Sequence, residues 1–495
     1  MASRAPRSPN PPPQRGVTVA LDSPTDFDLV VLGSGTGGYS AAFRAGQIGL
    51  RTALVEQAVI GGTCLNWGCM PTKAMLESAD LLAKIKESEK FGIRVAEHSV
   101  DYGVIAARRR QIVERLTKGL MGLVAKNRVE WVHGHGVLEN PGTVRVDILA
   151  QDGTPTGEVR LLRAKDIIVG TGSRVKSLPG LVPDGERIVT SDDVLQSTTL
   201  PGSIIVVGAG AVGVEFASFY RDMGCEVTLL EYLPTVTPLE DAEVAQVVHR
   251  VFQRRGIKII TNARFDTAAV VADESGVRVL VGPEGQAPTE IRADQMLVAT
   301  GRAANVEGIG LEKTRAVVDQ GIVKVDEHMQ TAEPHVYAIG DIIGGLWLAH
   351  VAAHEGLHAV AGIAGEHSEP VDYLKMPRAT YCRPQVASIG RSEQELQRDG
   401  VAYKAGKFPF LANGKALIAG ETDGFVKVLA DASTDAILGV HMVGPHVTDL
   451  VAEASTAMFL EGTAGELGSA VHAHPTLSEI VGEAALAVAG RQINA

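Results

Sequence analysis

The chain has 495 residues, 45% of them hydrophobic, with 55 glycines and a formal net charge of −12. Its length and composition describe roughly two to four α/β domains with ample core, and the acidic balance argues against nucleic acid or an anionic membrane surface as partner. Four cysteines, Cys64, Cys69, Cys225 and Cys382, are too few for a disulfide framework and fit a reducing, cytoplasmic setting in which a paired disulfide is catalytic; no run is long enough to span a membrane.

Residues 1–25 carry three arginines, many prolines and one acidic residue, and are expected to form a disordered tail. From Asp28 to Glu56 the sequence DLVVLGSGTGGYSAAFRAGQIGLRTALVE gives an apolar strand, glycines at Gly33, Gly35 and Gly38, a helix of small residues, and a second strand ending in an acid. The first glycine makes a tight turn, the second admits a pyrophosphate against the backbone, and the third lets helix pack on strand. The helix N-terminus then holds phosphates, and Glu56 accepts hydrogen bonds from a ribose diol.

Gly61 to Lys73 follows, reading GGTCLNWGCMPTK. Four residues separate Cys64 from Cys69, and Lys73 lies four beyond. The helical rhythm of AMLESADLLAKIKES places the pair in a glycine-rich turn at a helix N-terminus, where peptide dipoles and free N–H groups stabilise a thiolate. The spacing is wider than a zinc knuckle, and no second Cys/His pair stands at ligand distance. On this stretch alone, two buried structural cysteines remain the alternative.

RAKDIIVGTGS (Arg163 to Ser173) is a strand entering a Gly-Thr-Gly turn. Ser203 to Glu231 then repeats the first unit, with glycines at Gly208, Gly210 and Gly213. Gly33 maps on Gly208, Gly49 on Gly224 and Glu56 on Glu231, at a single offset of 175 residues (208 − 33). Two dinucleotide sites in matching register follow. A thiol pair that exchanges electrons with a soluble carrier needs a flavin between them, so one site suits FAD and the other a nicotinamide. The first unit leads into the cysteines and is assigned FAD. Glu231 has no arginine near it in sequence, suits a free 2′-hydroxyl and repels a 2′-phosphate, so the second is assigned NAD rather than NADP. ADQMLVATGRAAN repeats the strand-and-turn pattern after the second unit. HVYAIGDIIGG (His335 to Gly345) is a further strand with Asp341 at its C-terminal end, where ligands of open α/β sheets gather. Asp341 reads either as a holder of ribityl hydroxyls or as a plain Asx-turn.

From about Asp372 the runs QVASIG, FVKVLAD and ILGVHMVG alternate as an antiparallel sheet, with helices expected from Asp449 to Leu460 and from Leu477 to Ala489. Near the end, VHAHPTLSEIVGE sets His474 before Pro475 and Glu479 five residues on. The glutamate is placed to hold one imidazole nitrogen, leaving the other as a base. A histidine alone is more often structural, but thiol exchange needs a base that turns an incoming thiol into thiolate. The expected fold is α/β, with two Rossmann-like dinucleotide-binding domains plus a central region and a C-terminal α+β dimerisation domain. The boundaries are an FAD domain over 26–172, completed by 300–371, an NAD domain over 173–299, and an interface domain over 372–495.

Together GGTCLNWGCMPTK, the two fingerprints, YAIGD, LAH (Leu348 to His350) and HAHPTLSE resemble the flavin disulfide reductases from about Asp26 to the C-terminus. The form HAHPTLSE and the acid at Glu231 point to their lipoamide branch. The resemblance implies that Cys64 exchanges with dihydrolipoamide, that Cys69 faces the flavin as a charge-transfer thiolate, and that Lys73 sits near the flavin. It implies flavin contacts at Thr63, Gly136, Thr171, Gly172, Ser173, Asp341 and the turn Trp347, Leu348, Ala349 and His350. NAD contacts are implied from Gly208 to Glu215 and at Glu231 and Gly301. His474 and Glu479 would reach the cysteines of the other subunit of a head-to-tail homodimer. The implied partners are the lipoyl domains and acyltransferase core of a 2-oxo acid dehydrogenase complex, or a glycine-cleavage complex. Trp67, Thr72, Ala303, Val351 and the YCRPQVA run around Cys382 depart from the family's usual pattern and bear on fine substrate preference. Cys225 and Cys382 read as buried thiols. No cysteine follows Cys382, against a mercuric reductase; Glu231 stands against the NADPH use of a glutathione-type reductase; and two redox cysteines stand against a soluble transhydrogenase.

Overall fold

The structure, a computed structural model, describes residues 25–283 and 286–494; the tail expected over residues 1–25 lies, but for Thr25, outside the described residues. Short apolar runs such as FDLVVL, in which Leu29, Val30 and Val31 are fully buried, make strands covered on both faces, as parallel sheets require. The first sheet orders five parallel strands as Glu130–Asn140, Thr52–Glu56, Phe27–Leu32, Pro155–Val169 and Val336–Ala338. Thr143–Leu149 joins the first and fourth of these as an antiparallel meander.

The second sheet repeats the plan. Lys258–Ile260, Glu226–Leu230, Ser203–Val207, Gln295–Val298 and Ile188–Thr190 lie parallel in that order. An antiparallel meander of Val271–Asp273, Gly276–Val281 and Thr289–Ala293 accompanies it. Where the chain passes between the two halves, Ser173–Val175 pairs antiparallel with Arg302–Ala304. The third sheet is wholly antiparallel, ordered Arg378–Thr380, Gln385–Gly390, Ile437–Gly444, Phe425–Asp431 and Tyr403–Pro409. Helices Val447–Phe459 and Glu479–Ala487 accompany it, so the second begins two residues later than the sequence suggests. Among the described residues no helix is long and apolar enough to cross a membrane.

Two kinds of contact lock the three units together. One apolar cluster combines Met75 from the cysteine-bearing helix, Phe216 and Phe219 from the helix after the second glycine turn, and Cys382, Phe425 and Val443 from the C-terminal unit. Beside it runs a charge network. Arg383 donates to Glu87 at 3.0 Å and to Asp222 at 3.0 Å, and Arg255 pairs with the other Asp222 oxygen at 2.7 Å. Asp222 is nearly buried, so its two guanidinium partners compensate a charge that water does not reach.

Removing that carboxylate leaves Arg255 buried without its anion. Asp222→Ala should therefore destabilise the fold by about 3–5 kcal/mol. Asp80→Ala, which breaks the exposed Lys84 pair, should change stability by no more than about 0.5 kcal/mol. Equal denaturant midpoints for the two variants would show that the network does not hold the units together.

Candidate active site

The two glycine turns are built alike to the level of single hydrogen bonds. Gly33 N donates to Val55 O and Gly208 N to Leu230 O, both at 2.8 Å. Both first glycines take left-handed backbone, with φ of 93° and 102°. A Cβ on Gly38 would stand 1.9 Å from Gly33 O, and one on Gly213 1.8 Å from Gly208 O, so only glycine lets each helix start this close to its strand. Gly35 and Gly210, by contrast, face open space. That is where a pyrophosphate approaches the helix N-terminus, so both turns fit a dinucleotide. The two acids match as well. Glu56 accepts from the Ser34 and Ala58 amides at 2.9 and 2.8 Å, and Glu231 from the Ala209 and Leu233 amides at 2.6 and 2.8 Å.

Two contiguous cavities, of about 220 and 430 Å³, open beside the first turn and share Gly35, Thr63, Trp67, Gly170 and Gly172. The larger is lined by Gly33, Glu56, Gln57, His135, Gly136, Thr171, Ser173 and Asn305. The other holds Gly38, Cys64, Cys69, Lys73, Glu215, Arg302, Asp341, Trp347 and Ala349. A long ligand with a ribose at Glu56 and a redox ring at the cysteines fits this shape, as FAD would. Of the residues expected at the flavin, Leu348 and His350 line neither cavity; His350 instead meets the Pro377 carbonyl at 2.8 Å. Gly208, Gly210, Gly213, Glu231 and Gly301 also lie outside these cavities, the first four at the second turn.

Cys69 is the first residue of the helix Cys69–Glu87, at the positive end of its dipole. Cys64 does not lie in a turn, as the sequence suggests, but on a six-residue helix of its own, Gly62–Trp67. That helix closes because the Asn66 amide donates to Ile60 O and Gly62 O at 3.0 and 3.1 Å. All four cysteines are free thiols. Hydrogen bonding from the Cys64 thiol, followed by the nearby Lys73 ammonium, outweighs burial and brings Cys69 down to about 7. The same hydrogen bond, together with burial, pushes Cys64 up. The pair is thus polarised, with the thiolate at the helix N-terminus and the proton on its partner.

Lys73 Nζ reaches both oxygens of Glu215 at 2.8 Å and lies over the Tyr381 ring at 4.8 Å. Burial disfavours the ammonium, but Glu215 overrides it and its pKa is raised. Glu215, expected at the NAD nucleotide, therefore belongs to the cysteine cavity. It lies a turn beyond the helix start, on the face packed against the cysteine helix, and also accepts from Tyr381 N at 2.8 Å. Asp341 is not a plain Asx-turn. Its carboxylate accepts from Ser173 Oγ, and Arg302 donates to that hydroxyl at 2.6 Å and to Ser173 O at 2.8 Å. The sequence reading missed Arg302, although it directly follows Gly301 in the repeated strand-and-turn pattern. Gln57, His135, Ser191, Leu195, Phe216 and Asn305 were missed too, because only tertiary folding brings them to the cavities.

His474 Nδ1 meets Glu479 Oε1 at 2.8 Å, and Glu479 Oε2 accepts from Thr476 N at 2.8 Å. Burial raises the Glu479 carboxyl, but the Thr476 amide and the His474 ring outweigh it and hold it below its ordinary range. The imidazole is 79% exposed and lines neither cavity of its own chain, so Nε2 is left to act outward.

The family described as pyridine nucleotide-disulphide oxidoreductase matches residues 27–356, and its dimerisation domain matches residues 376–485. Among curated relatives, dihydrolipoyl dehydrogenase of Bacillus subtilis is 45% identical over 480 residues, covering 95% of this chain and 99% of the relative. Dihydrolipoyl dehydrogenase of Zymomonas mobilis is 43% identical over 470 residues, covering 94% and 99%. The crystal structure of LpdA from Mycobacterium tuberculosis superimposes with a TM-score of 0.85 at 28% identity, over 92% of this chain and 98% of that one.

In the reduced protein, one thiolate should appear as pH rises through about 7, followed by its ultraviolet absorbance, and Cys69→Ser should remove it. Lys73→Met takes away a cation that favours the charged form, so the midpoint should rise. An unmoved midpoint would remove the lysine from the field of the thiol.

Proposed function

We infer that this chain, which belongs to the pyridine nucleotide-disulphide oxidoreductase family, oxidises dihydrolipoamide to lipoamide and passes the electrons through Cys64, Cys69 and FAD to NAD⁺. The observation that carries this reading is the polarised cysteine pair lining a cavity continuous with the first dinucleotide turn. The names of the relatives support the choice of substrate.

The cycle starts from the Cys64–Cys69 disulfide. His474 Nε2 takes the proton of one substrate thiol, and the thiolate attacks Cys64 Sγ. The bond to Cys69 breaks, and Cys69 departs as a thiolate, a good leaving group because the helix N-terminus and Lys73 stabilise it. The second substrate thiol attacks the substrate sulfur of the mixed disulfide; the lipoyl ring closes, and Cys64 leaves with that thiol's proton. The two electrons then rest on a Cys64 thiol and a Cys69 thiolate, with one proton on His474. When bound, FAD would supply the chemistry that takes two electrons and the Cys64 proton as the Cys64–Cys69 bond re-forms and hands them on as a hydride to NAD⁺, while His474 gives its proton to solvent. Glu479 fixes the imidazole so that Nε2 faces the substrate, and it stabilises the imidazolium that forms.

The base acts in trans. His474 stands outward on the dimerisation domain, away from both cavities of its own chain, which supports a homodimer whose sites each draw on two chains. The dithiol arrives on a lipoyl domain of a 2-oxo acid dehydrogenase or glycine-cleavage complex, and a chain with only four cysteines suits a reducing cytoplasm.

His474→Gln and Cys64→Ser homodimers should each turn over dihydrolipoamide at least about 10²-fold more slowly than wild type. Refolding the two variants together yields mixed dimers with one intact site, which should recover up to about half of the wild-type rate per dimer. Mixed dimers as inactive as both parents would place the base within its own chain.

A further inference from the structure

The likeness between the two halves reaches beyond the glycine turns and identifies a pair of residues at the second nucleotide. Val132 pairs with Val55 in the first sheet as Ile260 pairs with Leu230 in the second. Counting on from these partners, Ala263 and Arg264 fall where His135 and Gly136 stand in the first half, and Tyr232 falls where Gln57 stands. Those three first-half residues line the larger cavity beside Glu56, and His135 Nδ1 meets Gln57 Oε1 at 2.8 Å. In the second half the residues at the Gly136 and Gln57 positions meet instead, as a cation on a ring. The Arg264 guanidinium lies 3.5 Å from the centre of the Tyr232 ring and donates to the Tyr232 and Ala263 carbonyls at 2.8 and 3.2 Å. Glu231 directly precedes this tyrosine, and its backbone carbonyl accepts from Ala263 N at 2.8 Å. In sequence Glu231 has no arginine beside it; the fold lays one against the adjoining Tyr232, from the segment that follows Lys258–Ile260.

We propose that the Tyr232–Arg264 stack lines the adenosine end of the second dinucleotide site, and that Arg264 is a cation able to hold a 2′-phosphate from which Glu231 alone bars the ligand. The proposal rests on reading the second half as the nicotinamide nucleotide's site. A carboxylate that accepts from a ribose diol repels a phosphate in the same place. A guanidinium held flat on an aromatic ring keeps its outer N–H groups in a fixed fork suited to phosphate. The pocket would then be one substitution away from NADP(H), although the chain as it stands selects NAD(H).

Calorimetric titration of the FAD-loaded dimer with ADP-ribose and with 2′,5′-ADP separates the possibilities without turnover. Wild type should bind ADP-ribose and reject 2′,5′-ADP. Glu231→Ser should gain 2′,5′-ADP binding by about tenfold or more, the worth of one charge-assisted hydrogen bond. Glu231→Ser/Arg264→Gln should lose that gain, while Glu231→Ser/Arg264→Lys keeps most of it, and retained flavin absorbance reports that each variant is folded. A gain that survives Arg264→Gln would overturn the role of the arginine. Failure of wild type to bind ADP-ribose would overturn the reading of the second half as a nucleotide site, and the proposal with it.

Discussion

The ion pair between Lys73 and Glu215 fixes the relation between the two halves where their chemistry must meet. Each partner stands four residues after the first residue of its helix, Lys73 in the helix opened by Cys69 and Glu215 in the helix opened by Ala211 after the second glycine turn. Glu215 is buried and Lys73 only partly exposed, so the carboxylate would be costly without its partner and the pair ties the two helices together. Tyr381 adds a third tie, its amide on Glu215 and its ring beneath Lys73. A single buried contact thus couples the redox thiols, the second dinucleotide turn and the C-terminal unit, and the cation required for the crossing also lowers the Cys69 pKa.

The same economy governs the cysteines. Two chemically identical side chains differ also in their backbone setting: one begins a long helix and the other sits inside a short one capped at Gly68. A Cβ at Gly68 would meet Thr63 O at 2.8 Å, so the break between the helices needs a residue without one. The asymmetry of the pair comes first from the hydrogen bond between the two sulfurs and from Lys73, to which the position of Cys69 at a helix N-terminus adds.

Much of this was legible in the sequence. The two glycine fingerprints, the helix that follows Cys69 and the change of texture near Asp372 are local patterns with local causes, and each became the corresponding element. The reading was less complete where function depends on residues far apart in the chain. The resemblance put Glu215 at the second nucleotide, and only the fold shows that it also pairs with Lys73. The stacking of Arg264 on Tyr232, the residue after Glu231, was invisible because only the fold brings the two together. Asp341 had two local readings until folding supplied Ser173 and Arg302. Cys64 appeared to lie in a turn because Gly61 and Gly62 precede it, and the contribution of Asn66 to closing a helix there has no sequence period.

The outward face of His474 gives the catalytic constellation a molecularity. On the proposed reading, a base presented to a neighbouring chain is part of a site only while that neighbour is present, so at high dilution the fraction of competent sites falls by mass action. Specific activity then becomes a function of protein concentration.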